Sequence, residues 1–485
     1  MQTLFPASLR ASASVMAVAA IALLAPVAAF AADPAATPAA AAAPTADAKL
    51  FDAKTFTLKN GLQVVVVENH RVPVVSQMVW YKVGAADEPA GKSGLAHLLE
   101  HLMFKGTNTI KPGEFSPLIA RHGGQDNAFT SSDVTAYYEN IAVDNLELVM
   151  KLESDRMRNL RLDDKNVLTE RDVVFEERLS RTENEPAELL NERLNNALWM
   201  THPYHNPIIG WPDELKALTR QDAIDYYNKW YAPNNAIVVI SGDVTVPQVK
   251  ALAEKYYGPL KHGPTIERKR NRTLPPPATV RIEMHHPQVS QPTWRQVFIA
   301  PSYGTTQNRR DVYALQVLNE LFGGGPTSRL YRAMVIDHKL AAAAGSGYNA
   351  AAVDWGTFGI SFTPRPGADL AAGEAVVRAE IDKLLTQGVS DEEVEMAKQR
   401  LRAGVIYARD SLQGSANTIG YALSTGQTLD QLEHWPQEIA RVTTAEVMAA
   451  ARAVLTGKAS AIGVLLPEEK AAPTNQTAPQ EGKSS

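Results

Sequence analysis

From Phe56 to Val83, short apolar runs alternate with polar turns. Phe56-Thr-Leu58 and Leu62-Gln-Val-Val-Val-Val-Glu68 flank Lys59-Asn-Gly61. This predicts a hairpin, since Asn-Gly readily takes the positive φ of a tight turn. A strand from Val74 to Val83 follows, and a loop from Gly84 to Gly94 then opens onto a short apolar helix. A second helix is expected from Pro112 to His122, closed by Gly123-Gly124 as a helix C-terminus prefers. Asp126-Asn-Ala-Phe-Thr130 and Val134-Thr-Ala-Tyr-Tyr138 read as two short strands with a tight connection. Helical periodicity dominates from Asn145 to Trp199, Thr219 is placed to cap a helix running to Trp230, and Ala236-Ile-Val-Val-Ile240 is a buried strand stopped by Gly242.

The second half repeats this pattern faintly. Arg295-Gln-Val-Phe-Ile299 takes the place of the strand at Val74, and Tyr313 to Phe322 that of the helix after Gly94. Val442-Thr-Thr-Ala-Glu446 and Ala461-Ile-Gly-Val-Leu465 echo Leu218 to Asp222 and Ala236 to Ile240. Between the halves, residues 263–278 turn basic and proline-rich, with Arg268-Lys-Arg270 and Pro275-Pro-Pro277. They read as an interdomain linker whose charges face solvent. The expectation is an α+β protein of two homologous domains, residues 50–262 and 279–466. Each is an antiparallel-rich sheet covered by helices, and the two face each other as a clamshell.

Composition bounds the function. At 485 residues the chain exceeds one ordinary core, and its 45% apolar and 21% charged residues are those of a globular protein. A net charge of −5 without a domain-sized Lys/Arg stripe argues against nucleic acid as a partner. Residues 1–31 read as a secretory signal: Arg10 precedes a nearly continuous apolar run from Ala17 to Ala29, and Ala29-Phe-Ala31 fits a small-x-small cleavage site. That run is short for a membrane span and carries Pro26, and no other stretch approaches a transmembrane helix. Residues 32–49, mostly Ala, Pro and Thr, and the tail 467–485 are expected to be disordered. There is no cysteine, which excludes disulfides, thiolate ligands and a cysteine nucleophile. With the leader, this points to the periplasm, secretion beyond the cell being the alternative.

Any metal must therefore be held by His, Asp or Glu. His97-Leu-Leu-Glu-His101 sits inside the apolar stretch Gly94 to Phe104. On a helix, imidazoles at i and i+4 reach one cation, and Glu100 projects beside them. This is H-x-x-E-H, the inverted form of the zincin motif. Two histidines leave zinc in need of a further ligand and an open position for water. The acidic segment Glu170-Arg-Asp-Val-Val-Phe-Glu-Glu-Arg178 can supply it: Glu170 and Glu177 lie two turns apart on one helix face. One carboxylate could bind the metal and the other orient a histidine, although an ordinary acidic helix fits the same composition. In the second half, the positions of His97, Glu100 and His101 are filled by Leu315, Leu318 and Asn319, so only the first half can hold the metal.

Taken with Asn127-Ala-Phe-Thr130, His202-Pro-Tyr204, Tyr231-Ala-Pro-Asn-Asn235 and Ser328-Arg-Leu-Tyr331, these motifs resemble the pitrilysin/insulinase-type zinc metallopeptidases, the inverzincins. The likeness is to their bacterial branch similar to mitochondrial processing peptidase, and it covers about residues 50–466. The resemblance implies that His97, His101 and Glu177 hold one Zn2+ per chain. It implies that Glu100 takes a proton from the attacking water and passes it to the leaving amine, and that Glu170 supports the site without being a primary ligand. Asn127, Ala128 and Phe129 would belong to an edge strand that holds substrate peptide by β-strand addition.

One departure matters. Active single-chain relatives carry an Arg and a Tyr seven residues apart in the second half. Aligning Lys339-Leu-Ala341 with their Gly-Leu-Ala puts Val335 and Ala342 at those positions. Arg400 and Tyr407 have the right spacing, but they fall in a helix opened by a Ser390/Glu393 capping box. The expectation is a zinc endopeptidase acting on peptides or unfolded segments as the metal-bearing subunit of a heterodimer, a homologous partner subunit supplying the Arg/Tyr clamp. A non-catalytic scaffold or chaperone-like subunit is the rival reading, which retention of Glu100 and all three ligands disfavours.

Overall fold

The structure is a computed structural model that describes residues 49–274, 277–456 and 459–468. The predicted leader, the tether before Lys49 and the tail after Glu468 lie outside the described residues. Among the described residues, no helix is long and apolar enough to cross a membrane.

The first sheet holds β1 (Lys54–Thr57), β2 (Gln63–Glu68), β3 (Val74–Tyr81), β4 (Gln125–Thr130), β5 (Thr135–Ala142) and β6 (Ala236–Gly242) in the order β1-β2-β6-β3-β5-β4. Only β2 and β6 run parallel within it. The second holds β7 (Thr279–His286), β8 (Thr293–Ala300), β9 (Ala341–Asn349), β10 (Gly356–Pro364) and β11 (Ser460–Pro467) in the order β7-β11-β8-β10-β9, with β7 and β11 parallel. Apart from β1, the two orders are the same permutation, so the faint sequence repeat is a duplicated topology. The Asn60-Gly61 hairpin joins β1 and β2 as expected. The helix predicted from Pro112 starts later, at Phe115.

Both faces of each sheet are covered, which explains the unbroken apolar run of β6. Val238 and Ile240 enter a core shared with helix Leu95–Leu102, and Ile237 and Val239 enter a second core on the opposite face. That second core is closed by helix Leu412–Ser424, which comes from the far half of the chain. Reciprocally, helix Pro186–Trp199 of the first half lays Leu190, Leu194 and Leu198 on the second sheet, against Ala461 and Leu465 of β11. Two glycines permit this exchange. A Cβ on Gly420 would lie 2.0 Å from the Trp80 indole nitrogen, and one on Gly463 would lie 2.4 Å from Leu194. Helix and strand thus approach more closely than any side chain allows.

The linker reinforces the interlock and corrects the reading of its charges. The Arg270 side chain is 2% exposed, not solvated. Its guanidinium meets Asp87 at 2.8 Å, Asp133 at 2.6 Å and Asp354 at 3.0 Å, carboxylates from both halves. Asp133 also accepts the Tyr204 hydroxyl at 2.6 Å and the Val353 N–H at 3.0 Å. Of the three basic residues only Lys269 stands in solvent as expected. Burial opposes the charge of Arg270, but the surrounding carboxylates outweigh it and keep the guanidinium protonated.

Candidate metal centre

Helix Leu95–Leu102 buries Leu95, Ala96, Leu98, Leu99 and Leu102 in the first core, which turns His97, Glu100 and His101 to the remaining face. Its start is fixed by backbone geometry. Gly94 has φ 85°, and a Cβ there would sit 2.8 Å from the Ile209 carbonyl oxygen, so no larger residue fits. The free N–H groups of the first turn go to carboxylates. Gly94 and Ala96 donate to Glu88 at 3.1 and 2.8 Å, and Ser93 donates to Glu214 at 2.8 Å. Burial pushes the Glu88 carboxyl well above the usual carboxylate range, and its two backbone hydrogen bonds pull the other way.

Helix Asp164–Arg178 packs beside it. Val167, Glu170, Val174 and Arg178 form its buried stripe at helical spacing. Arg178 locks the far end, donating to Glu192 and to the Gly210 carbonyl, each at 2.8 Å. Glu177 lies two turns beyond Glu170 and is paired with Arg181.

The two helices bring His97, His101 and Glu177 together: one donor atom from each lies within 4.8 Å of the others. Among the described residues this is the one group of three or more His, Asp or Glu that could hold a metal ion. His101 Nε2 faces Glu177 at 3.3 Å, while its Nδ1 donates to Glu170 at 3.1 Å. The other Glu170 oxygen takes Lys105 at 2.5 Å. Glu170 therefore stands behind His101, bridging it to a lysine, and Glu177 stands in front.

The electrostatics fit a cation. Burial pushes the His97 imidazole down to about 3, aided by the neighbouring His101, so it stays neutral, the form that ligates a metal. Its Nδ1 is buried without a hydrogen-bond partner. Burial also opposes the charge on His101, but its hydrogen bonds to Glu170 and Glu177 raise it to about 9. Glu170 and Glu177 are both held below the usual carboxylate range, since their contacts with His101 and nearby cations outweigh burial. Two imidazoles and a carboxylate with no thiolate, oriented by a further carboxylate, form a donor set that suits zinc. Glu100 is different: burial pushes it up to about 7 although the Thr130 hydroxyl donates to it at 2.7 Å.

Asn127, Ala128 and Phe129 lie on β4, which pairs with β5 on one side and with no strand on the other among the described residues. The Asn127 side chain accepts the Ala128 N–H at 2.8 Å. The Phe129 ring packs edge-on against Trp80, 5.4 Å between centroids, so its side chain is committed to the protein. What β4 can offer a peptide is main chain. The sequence reading missed Glu88 and Thr130. The first needed the fold of the Gly84–Gly94 loop, and the second stood one residue beyond the strand positions already singled out.

Residues 63–211 match the family profile described as insulinase (peptidase family M16), and residues 217–401 match that of the peptidase M16 inactive domain. The zinc protease PqqE of Helicobacter pylori is 33% identical over 373 residues, which cover 76% of this chain and 82% of that protein. An uncharacterized zinc protease of Streptomyces coelicolor is 29% identical over 419 residues, covering 85% and 89%. The crystal structure of a protease from Helicobacter pylori superposes with a TM-score of 0.78 at 31% identity, over 86% of this chain and all of that one. The first half of the periplasmic protease PqqL from Escherichia coli shares the fold, with a TM-score of 0.72 at 18% identity over 86% and 92% of the chains.

Proposed function

Because the chain belongs to the insulinase (M16) peptidase family and is a zinc protease of that family, we propose that it is an endopeptidase that holds one zinc ion through His97, His101 and Glu177. The observation that carries this reading is the convergence of these three side chains from two helices with Glu170 seated behind His101. When bound, zinc polarises a peptide carbonyl and lowers the pKa of a water molecule. Glu100 would take the proton of the attacking water and return it to the leaving amine; its raised affinity for a proton suits a group that must both accept and return one. Glu170 fixes the ring plane of His101. The open edge of β4 at Asn127, Ala128 and Phe129 receives substrate as an added strand, and because main-chain bonds read no side chains, this fits extended or unfolded peptides of varied sequence. Glu100→Gln should abolish hydrolysis of a quenched fluorescent peptide while zinc content stays that of the unsubstituted protein. Full activity in that variant would overturn the assignment.

The second half supplies no clamp of its own in this reading. Val335 is 7% exposed within the second-half core, and Ala342 is an alanine near the start of β9. Arg400 is engaged by Glu320 at 2.7 Å. The exchanged helices and the Arg270 nest bind the two halves into one body, so closure around a peptide falls to another chain. The protein is then the metal-bearing member of a heterodimer whose homologous partner brings Arg and Tyr. Full peptidase activity of the purified monomer would refute this. Residues 1–31 and the absence of cysteine support a periplasmic location, which cell fractionation tests.

A further inference from the structure

The Glu100 carboxylate is held by one hydrogen bond among the described residues, and its donor is not on the histidine helix. Thr130 Oγ1 lies 2.7 Å from Glu100 Oε2 and 3.4 Å from Thr135 Oγ1. A hydroxyl has one proton to give, and an ionised carboxylate can only accept. The Thr135 hydroxyl donates to the Val83 carbonyl at 3.1 Å, which leaves its oxygen as the weaker of two acceptors for Thr130. The Thr130 proton therefore goes to Glu100. That contact fixes one carboxylate oxygen and leaves the other to exchange a proton.

The position of Thr130 is itself over-determined. It is the last residue of β4 and pairs with Thr135 across the β4–β5 hairpin. The hairpin turn is closed by the Ser131 N–H donating to the Val134 carbonyl at 2.8 Å. Its Asp133 is anchored in the buried nest of Arg270 and Tyr204. The strand whose free edge would take the peptide at Asn127, Ala128 and Phe129 is thus the strand whose next residue grips the base.

We propose that Thr130 is a positioning residue for peptide hydrolysis, its hydroxyl setting the rotamer of Glu100 so that peptide addition to β4 and alignment of the base are carried by one rigid strand. The inference rests on the reading of Glu100 as the proton-transfer group. It makes no use of Thr130 as a ligand of substrate or metal.

The test compares Thr130→Val, which keeps the shape and loses the hydroxyl, with Thr130→Ser, which keeps the hydroxyl. The variants are made in the full chain and assayed with its partner subunit if the chain alone is inactive. Thr130→Val should lower kcat about tenfold or more, a part of the 10²–10⁴-fold that a positioned base supplies. KM should stay within about twofold, and zinc content and Tm should match the unsubstituted protein. Thr130→Ser should recover most of the loss. In a crystal structure of zinc-loaded Thr130→Val, the Glu100 carboxylate should leave its place, and in Thr130→Ser it should keep it. If Thr130→Val fails to fold, Thr130→Ala takes its place in the same comparison. An unchanged kcat in the valine variant, a serine variant as slow as the valine one, or a raised KM at constant kcat would each overturn the proposal. Glu100→Gln is measured alongside: if it retains activity, the reading of Glu100 has failed. If it is inactive while Thr130→Val is unimpaired, the inference about Thr130 has failed alone.

Discussion

Glu170 and Glu177 share a helix face and both touch His101, yet the proposed site gives them different jobs, and paired substitutions to Gln separate them. Glu170 is 8% exposed at its side chain, with one oxygen 3.1 Å from His101 Nδ1 and the other 2.5 Å from Lys105 Nζ. In Glu170→Gln the amide has one acceptor to offer two donors. If its oxygen stays on His101, its NH2 meets the lysine; if it flips, its NH2 meets the imidazole N–H. One hydrogen bond and one charge are lost either way, and His101 is less firmly oriented. Removing such a support typically weakens metal binding 10–100-fold, about 1.4–2.7 kcal/mol. The Lys105 conflict argues for the upper half of that range. Glu177→Gln removes the proposed anionic ligand and should leave a protein that does not retain zinc through gel filtration. Competition against a chromophoric zinc chelator at fixed pH measures both, with Tm as a control for folding. Equal losses from the two substitutions would refute the division of roles, and no loss from Glu170→Gln would refute its hold on His101.

Arg270→Met should lower the midpoint of urea unfolding by an amount equivalent to about 3–5 kcal/mol, because it leaves the buried Asp133 without its cation, while Asp87 keeps Arg268 at 3.4 Å and Asp354 keeps Arg272 at 2.7 Å. A loss below about 1 kcal/mol, the scale of an exposed pair, would contradict the burial of that nest. Leu194→Ala should cost about 2–5 kcal/mol on the same assay, although it lies on a helix of the first half, since it fills the notch above Gly463 in the second sheet; a neutral result would mean that the helix exchange does not hold in solution. The hydrogen bond and charge of Arg310 pull Glu446 down to about 2. Its stabilising contribution is therefore complete above its ordinary value of 4.5 and lost as pH falls through about 2. The Tm difference between the unsubstituted chain and Glu446→Gln should shrink across that window, and a difference that grows on acidification would reverse the assignment.

What the sequence made legible is what local periodicity determines. H-x-x-E-H needs only helical spacing to put His97, Glu100 and His101 on one face, and Glu170 and Glu177 obey the same rule seven residues apart. Hairpins such as that at Asn60-Gly61 are equally local. The duplicated strand order was visible as two faint copies because each copy must bury the same alternating faces. The limits appear wherever the partner is distant in sequence. The leucines at 190, 194 and 198 announce a buried stripe, but nothing near them says that it covers the sheet of the other half. The one trace of that partner is negative, a glycine at 463 in an otherwise apolar strand.

Arg270 fails for the same reason with charges in place of methyl groups. A short basic run beside prolines is a surface feature when its neighbours in sequence are all that is known, and the three aspartates that bury it arrive from residues 87, 133 and 354. An isolated buried guanidinium would be ruinous, so its burial depends on those three segments meeting around it. Asp87 precedes the Glu88 that caps the histidine helix, and Asp133 turns the hairpin that ends in Thr130. The linker whose charges looked solvated thus holds, through Asp87 beside Glu88 and through Asp133 three residues beyond Thr130, both the start of the histidine helix and the end of β4. The proposed catalytic geometry, written locally in five residues, is held in register by contacts that no local pattern records.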